Sequence, residues 1–290
     1  MSWSTIPAGQ GVSPAAKTAE QLNILSRATA RADSYCGQVL RATIDNEQVA
    51  GPDYRLTIQN GTGNGRIILS RWPIIQIISV MVAPNAVFPR QWTQIPAGQW
   101  DIEVPTIGLL GSIAPAAAID GGQAIVIPPG WVNWGLGRHG WLVRVQYVNG
   151  WPHTSLTAAV EAGEQTLPVD DCTGWGITGE WGNTGAAATV FDVSKQETIQ
   201  STAASVTSGP GNVTTASPLV YDHPAGTMVS SLPQQVIGAV ILFSAAEALT
   251  RGATSTTVHS IPGGGASGGK GPEDLIGEGE LLLHPLRRSI

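Results

Sequence analysis

Five histidines, two cysteines and one adjacent pair of aspartates are the groups in this chain whose chemistry and spacing need weighing first. His139, His153, His223, His259 and His284 never recur at i, i+3 or i+4, and none sits in a cluster of cysteines or carboxylates. That spacing offers no zinc site, and the histidines read as solvated or hydrogen-bonded side chains. Cys36 and Cys172 lie far apart and form no metal-type pair, which excludes a disulfide framework and leaves open one long-range bridge. Asp170-Asp171, with Glu164 or Asp192, could hold a cation or act as a glycosidase pair. Neighbouring carboxylates at a strand end point to opposite faces, however, and turns favour aspartate for conformational reasons. Gly61-Thr62-Gly63-Asn64-Gly65 lacks the Lys-Ser/Thr ending of a phosphate loop and leads into strand-forming residues. Trp131, Trp134, Trp141 and Trp151 could form a sugar-stacking face, although aromatic side chains more often anchor cores and subunit interfaces. The expectation is no catalytic residue, no cofactor and no metal: not an enzyme.

The elements around these groups are organised on Gly65 to Val82. Its dense β-branched residues mean strand, with Pro73 as an interruption. The glycine-rich turn before it pairs this stretch with Tyr54 to Ile58. A first helix runs to Cys36, with Leu22, Leu25, Ala28 or Thr29, Ala32, Tyr35 and Cys36 on one face and Gly37 as its stop. Residues 39–53 read as loop or a short element. Trp141 to Val148 alternates as a half-buried strand, and short strand candidates fill 154–230. A second helix starts at Pro233, and its apolar residues on every side predict burial on every side, by its own core alone or by that core with a neighbouring subunit. Eight of the twenty residues from Ile261 to Glu280 are glycine, which predicts a flexible linker before a Leu-rich end. The fold class expected is α+β: a core of two main helices with strands, plus an inserted small all-β barrel or sandwich.

Charge divides the chain. Lys+Arg against Asp+Glu is 10 against 8 over 1–153, 1 against 8 over 154–230 and 4 against 5 over 231–290, giving the net −6. The acidic middle block argues against nucleic-acid contact there, and no basic stripe occurs elsewhere. No run of about 18 apolar residues predicts a membrane span, and the start of the chain does not read as a secretory signal.

One further pattern emerges when the middle block is set aside. A helix ends at Tyr35-Cys36-Gly37; then come Ser70-Arg71-Trp72-Pro73-Ile74-Ile75, Val145-Gln146-Tyr147-Val148-Asn149-Gly150-Trp151-Pro152, Leu232-Pro233-Gln234-Gln235-Val236 and a Leu-rich end with Arg287-Arg288. This order resembles the head–tail connector (adaptor, or head-completion) proteins of long-tailed double-stranded DNA bacteriophages, over roughly 1–153 and 231–290. The block between Pro152 and Leu232 departs from that pattern. It looks like a small β module found in phage structural proteins, on Leu167-Pro168-Val169, Gly174-Trp175 and His223-Pro224-Ala225-Gly226.

The resemblance implies a non-enzymatic virion protein at the head–tail junction, made in the host cytoplasm. Its partners would be copies of itself in a ring, usually of twelve, the portal protein above and the next tail or stopper ring below. Genome DNA would pass through without sequence-specific binding, and no membrane is involved. The domains expected are a discontinuous connector core (1–153 and 231–260), the inserted module (154–230) and a Gly-rich docking arm (261–290). On that reading Leu281, Leu282, Leu283, Leu286, Arg287 and Arg288 dock on the portal or an adjacent subunit. Val236, Val240, Ile241 and Phe243 lie on the subunit-contact helix. The rivals are a carbohydrate- or surface-binding β protein using the Trp cluster and a glycan-cleaving enzyme using acids of the insert.

Overall fold

A computed structural model describes residues 14–50, 55–58, 63–84, 88–103, 124–131, 140–176, 186–192, 195–250 and 271–287. The chain divides into two compact units, Arg41–Leu232 and the two chain ends Met1–Leu40 with Pro233–Ile290.

The first unit begins with eight strands: β1 (Thr43–Ala50), β2 (Leu56–Ile58), β3 (Gly65–Ile68), β4 (Ile74–Pro84), β5 (Thr93–Ile95), β6 (Asp101–Glu103), β7 (Ala124–Ile127) and β8 (Trp141–Asn149). They form two four-stranded antiparallel sheets, ordered β1-β8-β4-β5 and β2-β3-β7-β6. The Gly65–Val82 stretch therefore supplies one strand to each sheet. Proline lacks the N–H that would continue a ladder, and the chain changes sheets across Ser70–Pro73. Leu56, Ile67, Ile125 and Ile127 of one sheet share a core with Val49, Val80, Val143, Val145 and Tyr147 of the other.

Six more strands follow: β9 (His153–Ser155), β10 (Thr166–Val169), β11 (Ala187–Phe191), β12 (Glu197–Ala204), β13 (Gly211–Thr215) and β14 (Met228–Ser230). They pair in the order β10-β13-β12-β11-β14-β9. The two ends of this sheet meet, because Leu156, just past β9, bridges Val169 of β10. The enclosed core centres on the buried Trp175, with Leu156, Leu167, Val190 and Val213 around it. Where the chain enters and leaves this sheet, His153 lies opposite Ser230, and Ser231 N–H donates to Pro152 O at 2.9 Å. Gly174 has φ +81°, and a Cβ there would lie 3.0 Å from both Ala42 Cβ and Pro152 Cγ. Conformation and space both demand glycine at that point.

The second unit is helical: α1 (Pro14–Cys36), α2 (Gln234–Thr250) and α3 (Pro272–Leu283), with a 3-10 turn over His284–Leu286.

This architecture corrects the expected fold class. Among the described residues the chain is mostly β, 39% strand against 26% helix, with three sheets and three α-helices. It is not an α+β core built on two main helices. Two stretches account for much of the difference. Residues 43–50, within the stretch read as loop or a short element, form an eight-residue strand. Residues 272–283 form a helix where a flexible linker was expected, because the glycines concentrate ahead of it. Pro272-Glu273-Asp274 then supplies a helix start, with proline in the first turn and acids at the positive end of the dipole. The Asp274 carboxylate accepts the Gly271 N–H at 3.0 Å.

Candidate functional site

Five contacts fix how the helices of the second unit pack. Leu282 approaches Gly238, while Gly279 sits against the Phe243 ring, so α3 runs antiparallel to α2. Arg31 pairs with Glu280 at 3.5 Å and Arg287 lies 5.5 Å from the Tyr35 ring centroid, so α1 runs parallel to α3. The Arg31 guanidinium also stands over the Phe243 ring, 5.5 Å from its centroid. Phe243 is thus the hub, buried completely between the other two helices.

This packing sorts the residues that sequence reasoning assigned to docking and subunit contact. Leu283 and Leu286 are buried inside the helical unit, at 0% and 7% exposure, and so hold the tail on its own chain. Leu281 and Leu282 point out, 74% and 38% exposed. Arg287 is exposed and over Tyr35; Arg288 lies outside the described residues. On α2, Val236 and Phe243 are buried, Val240 is half-buried and Ile241 is 55% exposed. Within one chain α2 is therefore not covered on every side: Ile241 is open, which leaves that part of the expectation to a neighbouring subunit. Leu22 and Leu25 of α1 are open as well, at 62% and 50%. The inner stripe of α1 is Ala28, Ala32 and Cys36, spaced four apart; Leu25, seven residues before Ala32, is in line with it but nearer the helix start, and Leu22 lies to its side. Sequence periodicity marks the face of a helix but not how far along it the packing reaches.

The chemistry-bearing groups of the β unit are engaged in structure. Burial would raise the Asp170 carboxyl, yet bonds from Ser155 N–H and from the Thr154 and Ser155 hydroxyls outweigh it and hold the group below the ordinary range. Asp171 Oδ1 accepts from Thr173 N–H at 2.9 Å, Thr173 Oγ1 at 2.6 Å and Gly209 N–H at 3.1 Å. Such saturated carboxylates tie turns rather than move protons. His223 is buried with Nε2 at 2.7 Å from Glu197 and Nδ1 at 3.4 Å from Asp192. Among the described residues no group of three or more His, Cys, Asp or Glu is placed to hold a metal ion. The tryptophans do not make one platform: Trp151 is buried and meets Trp72 edge-on at 5.9 Å, while Trp131 and Trp141 pack against the core shared by the two four-stranded sheets. Trp134, His139 and His259 lie outside the described residues.

Sequence reasoning missed a polar lattice on the inner face of β1. Glu47 Oε2 accepts from Tyr147 Oη at 3.0 Å and from Ser70 N–H and Oγ at 2.8 Å each, while its other oxygen pairs with Arg55. One step along, Asp45 receives the Asn149 amide and lies 3.5 Å from Arg71 Nε. Burial first, and then the neighbouring Glu47 carboxylate, push the Tyr147 hydroxyl well above its usual range. The signal in the sequence is the alternation Thr43, Asp45, Glu47, Val49, a period of two carried by polar residues.

Both cysteines are free and buried. Burial, with Asp33 adding to it, pushes the Cys36 thiol up to about 11, and burial likewise raises Cys172. Since the thiolate is the reactive form, a thiol reagent at pH 8 is expected to leave both untouched in the native protein and to label both in denaturant. Rapid labelling of the native protein would contradict this packing.

No described helix is long and apolar enough to cross a membrane. No protein-family model, curated protein or solved structure matches this chain.

Proposed function

We propose that this chain is a structural subunit of a tailed-phage virion, assembling as a ring between portal and tail and lengthening the channel through which genome DNA passes. The observation that carries the reading is the open apolar surface of the helical unit. Leu22, Leu25, Ile241, Leu281 and Leu282 are all exposed on one small three-helix body. Exposed apolar surface at this density marks a contact site, and it falls on the part of the chain whose motif order resembles the connectors. Saturation of the Asp170 and Asp171 carboxylates favours a mechanical role over a hydrolytic one at that pair. A channel wall must let DNA slide, so tight phosphate binding would be a handicap, and the net charge of −6 suits that role. Among the described tail residues, Leu281, Leu282 and Arg287 are the ones left to meet a portal or a neighbour.

The test is the size and shape of the purified protein at rising concentration, by sedimentation and negative-stain imaging. Closed rings with a central opening are expected. A protein that stays monomeric at every concentration, and also fails to add to isolated portal rings, would overturn the reading.

A further inference from the structure

The chain enters the closed sheet at β9 and leaves it at β14, and a short polar relay ties the two strands together. His153 of β9 lies opposite Ser230 of β14, with ring Nδ1 2.9 Å from Ser230 Oγ. The same Ser230 oxygen accepts the Leu232 N–H at 3.1 Å. A second tie runs beside it, where Ser231 N–H donates to Pro152 O at 2.9 Å and the Ser231 hydroxyl to the same oxygen at 3.0 Å.

Counting hydrogens gives the state of the His153 ring. Ser230 is buried, and among the described residues its hydroxyl bonds His153 and Leu232. A hydroxyl has one hydrogen to give. If Nδ1 carried a proton, Ser230 Oγ would accept twice and its own hydrogen would be left inside without an acceptor, which is costly. With Nδ1 bare, the hydroxyl donates to the ring and accepts from Leu232, and all three groups are satisfied. The relay therefore holds a neutral ring. The charged groups around it act in the same direction on balance. Burial first, and then the Arg41 guanidinium, keep the imidazole below the ordinary histidine range against the pull of Asp170 on β10. That carboxylate is already occupied by Thr154 and Ser155.

We infer that the His153–Ser230–Leu232 relay is an acid-sensitive latch: a proton taken up at Nδ1 turns the ring from acceptor to donor, breaks the relay and frees the exit of the closed sheet at Leu232. This goes beyond the ring reading and does not depend on it. A histidine released from the fold takes up its proton near about pH 6.5, and the latched ring resists doing so. The latch therefore contributes in full above that value and is eroded as pH falls below it.

Hydrogen exchange of the full chain, resolved to single amides and corrected for the intrinsic effect of pH, tests this. On going from about pH 7.5 to about pH 5.5, protection of the Leu232 N–H is expected to fall about tenfold. The neighbouring Ser231 N–H, held by the Pro152 carbonyl, is expected to keep its protection. His153→Asn sets an amide oxygen near the place of Nδ1 and takes up no proton, so Leu232 is expected to stay protected at both values. Nitrogen NMR of histidine-labelled protein reads the ring directly, whether or not that variant folds. A bare Nδ1 at neutral pH is expected, with a titration midpoint below that of free histidine. A protonated Nδ1 at neutral pH would overturn the inference, as would Leu232 protection that stays constant while His153 takes up its proton. The same loss of protection in His153→Asn as in the unsubstituted chain would overturn it too.

Discussion

Replacing Glu47 with alanine is expected to cost about 3–5 kcal/mol, the range for removing one partner of a buried ion pair. The loss is large because four groups lose their acceptor together: the Arg55 guanidinium, the Tyr147 hydroxyl, and the N–H and hydroxyl of Ser70. The Glu47 and Arg55 side chains are only 12% and 20% exposed, so water replaces little of what is removed. These partners lie on different segments, the sheet-crossing Ser70, the β8 residue Tyr147 and Arg55 just before β2. The damage should therefore spread beyond β1. Urea denaturation reads the effect, against a Tyr147→Phe control expected to cost about 1 kcal/mol for a single hydrogen bond. A Glu47→Ala midpoint no lower than that of the control would show that the lattice adds nothing as a network.

Phe243→Ala is the second large effect, with about 3–5 kcal/mol expected for emptying a fully buried aromatic site. Its neighbour gives the loss a diagnostic partner. A Cβ on Gly279 would run into the Phe243 ring at Cε1, so Gly279→Ala overpacks the same spot, for about 1–3 kcal/mol. The two changes should compensate in part, because the methyl group of one enters the space vacated by the other. The double variant is then expected to be more stable than the sum of the two losses, by about 0.5–3 kcal/mol of coupling. Strict additivity in thermal or urea unfolding would mean that α3 does not sit on α2 as described.

What the sequence made legible follows the physics of each element. The first helix ends at Cys36 with Gly37 at φ +69°, where both periodicity and the stop residue pointed. Trp141–Val148 was readable because Val143, Val145 and Tyr147 alternate into a core. β1 was not, because its inward residues Thr43, Asp45 and Glu47 are polar and their partners outside the strand lie 8 to 106 positions away. Long-range satisfaction of a polar face leaves no local hydrophobic signal. The tail helix was hidden differently. Glycine counted over twenty residues masked the change at Pro272, after which Gly277 and Gly279 interrupt an otherwise good helix former. Gly279 is there because Phe243 leaves no room for a side chain. In the tail the sequence named four leucines without their directions. Leu283 and Leu286 turn inward while Leu281 and Leu282 turn outward, a division that depends on where α2 lies.

The closed sheet of β9 to β14 has a further consequence, for how such a chain could change over evolutionary time. Its entry and exit strands are paired, and Ser231 N–H already bonds Pro152 O at 2.9 Å. A short turn could therefore rejoin the ends if the whole stretch were lost. Because Leu156 bridges Val169 across the seam, the stretch also brings few bare strand edges with it when gained, and exposed edges are what make transplanted β-segments sticky. The local adaptation it asks of a recipient is a small residue such as Gly174 at the point of contact with Ala42, Ile75 and Pro152. A lineage can add or discard a body of this kind in a single recombination event while the flanking strands keep their register.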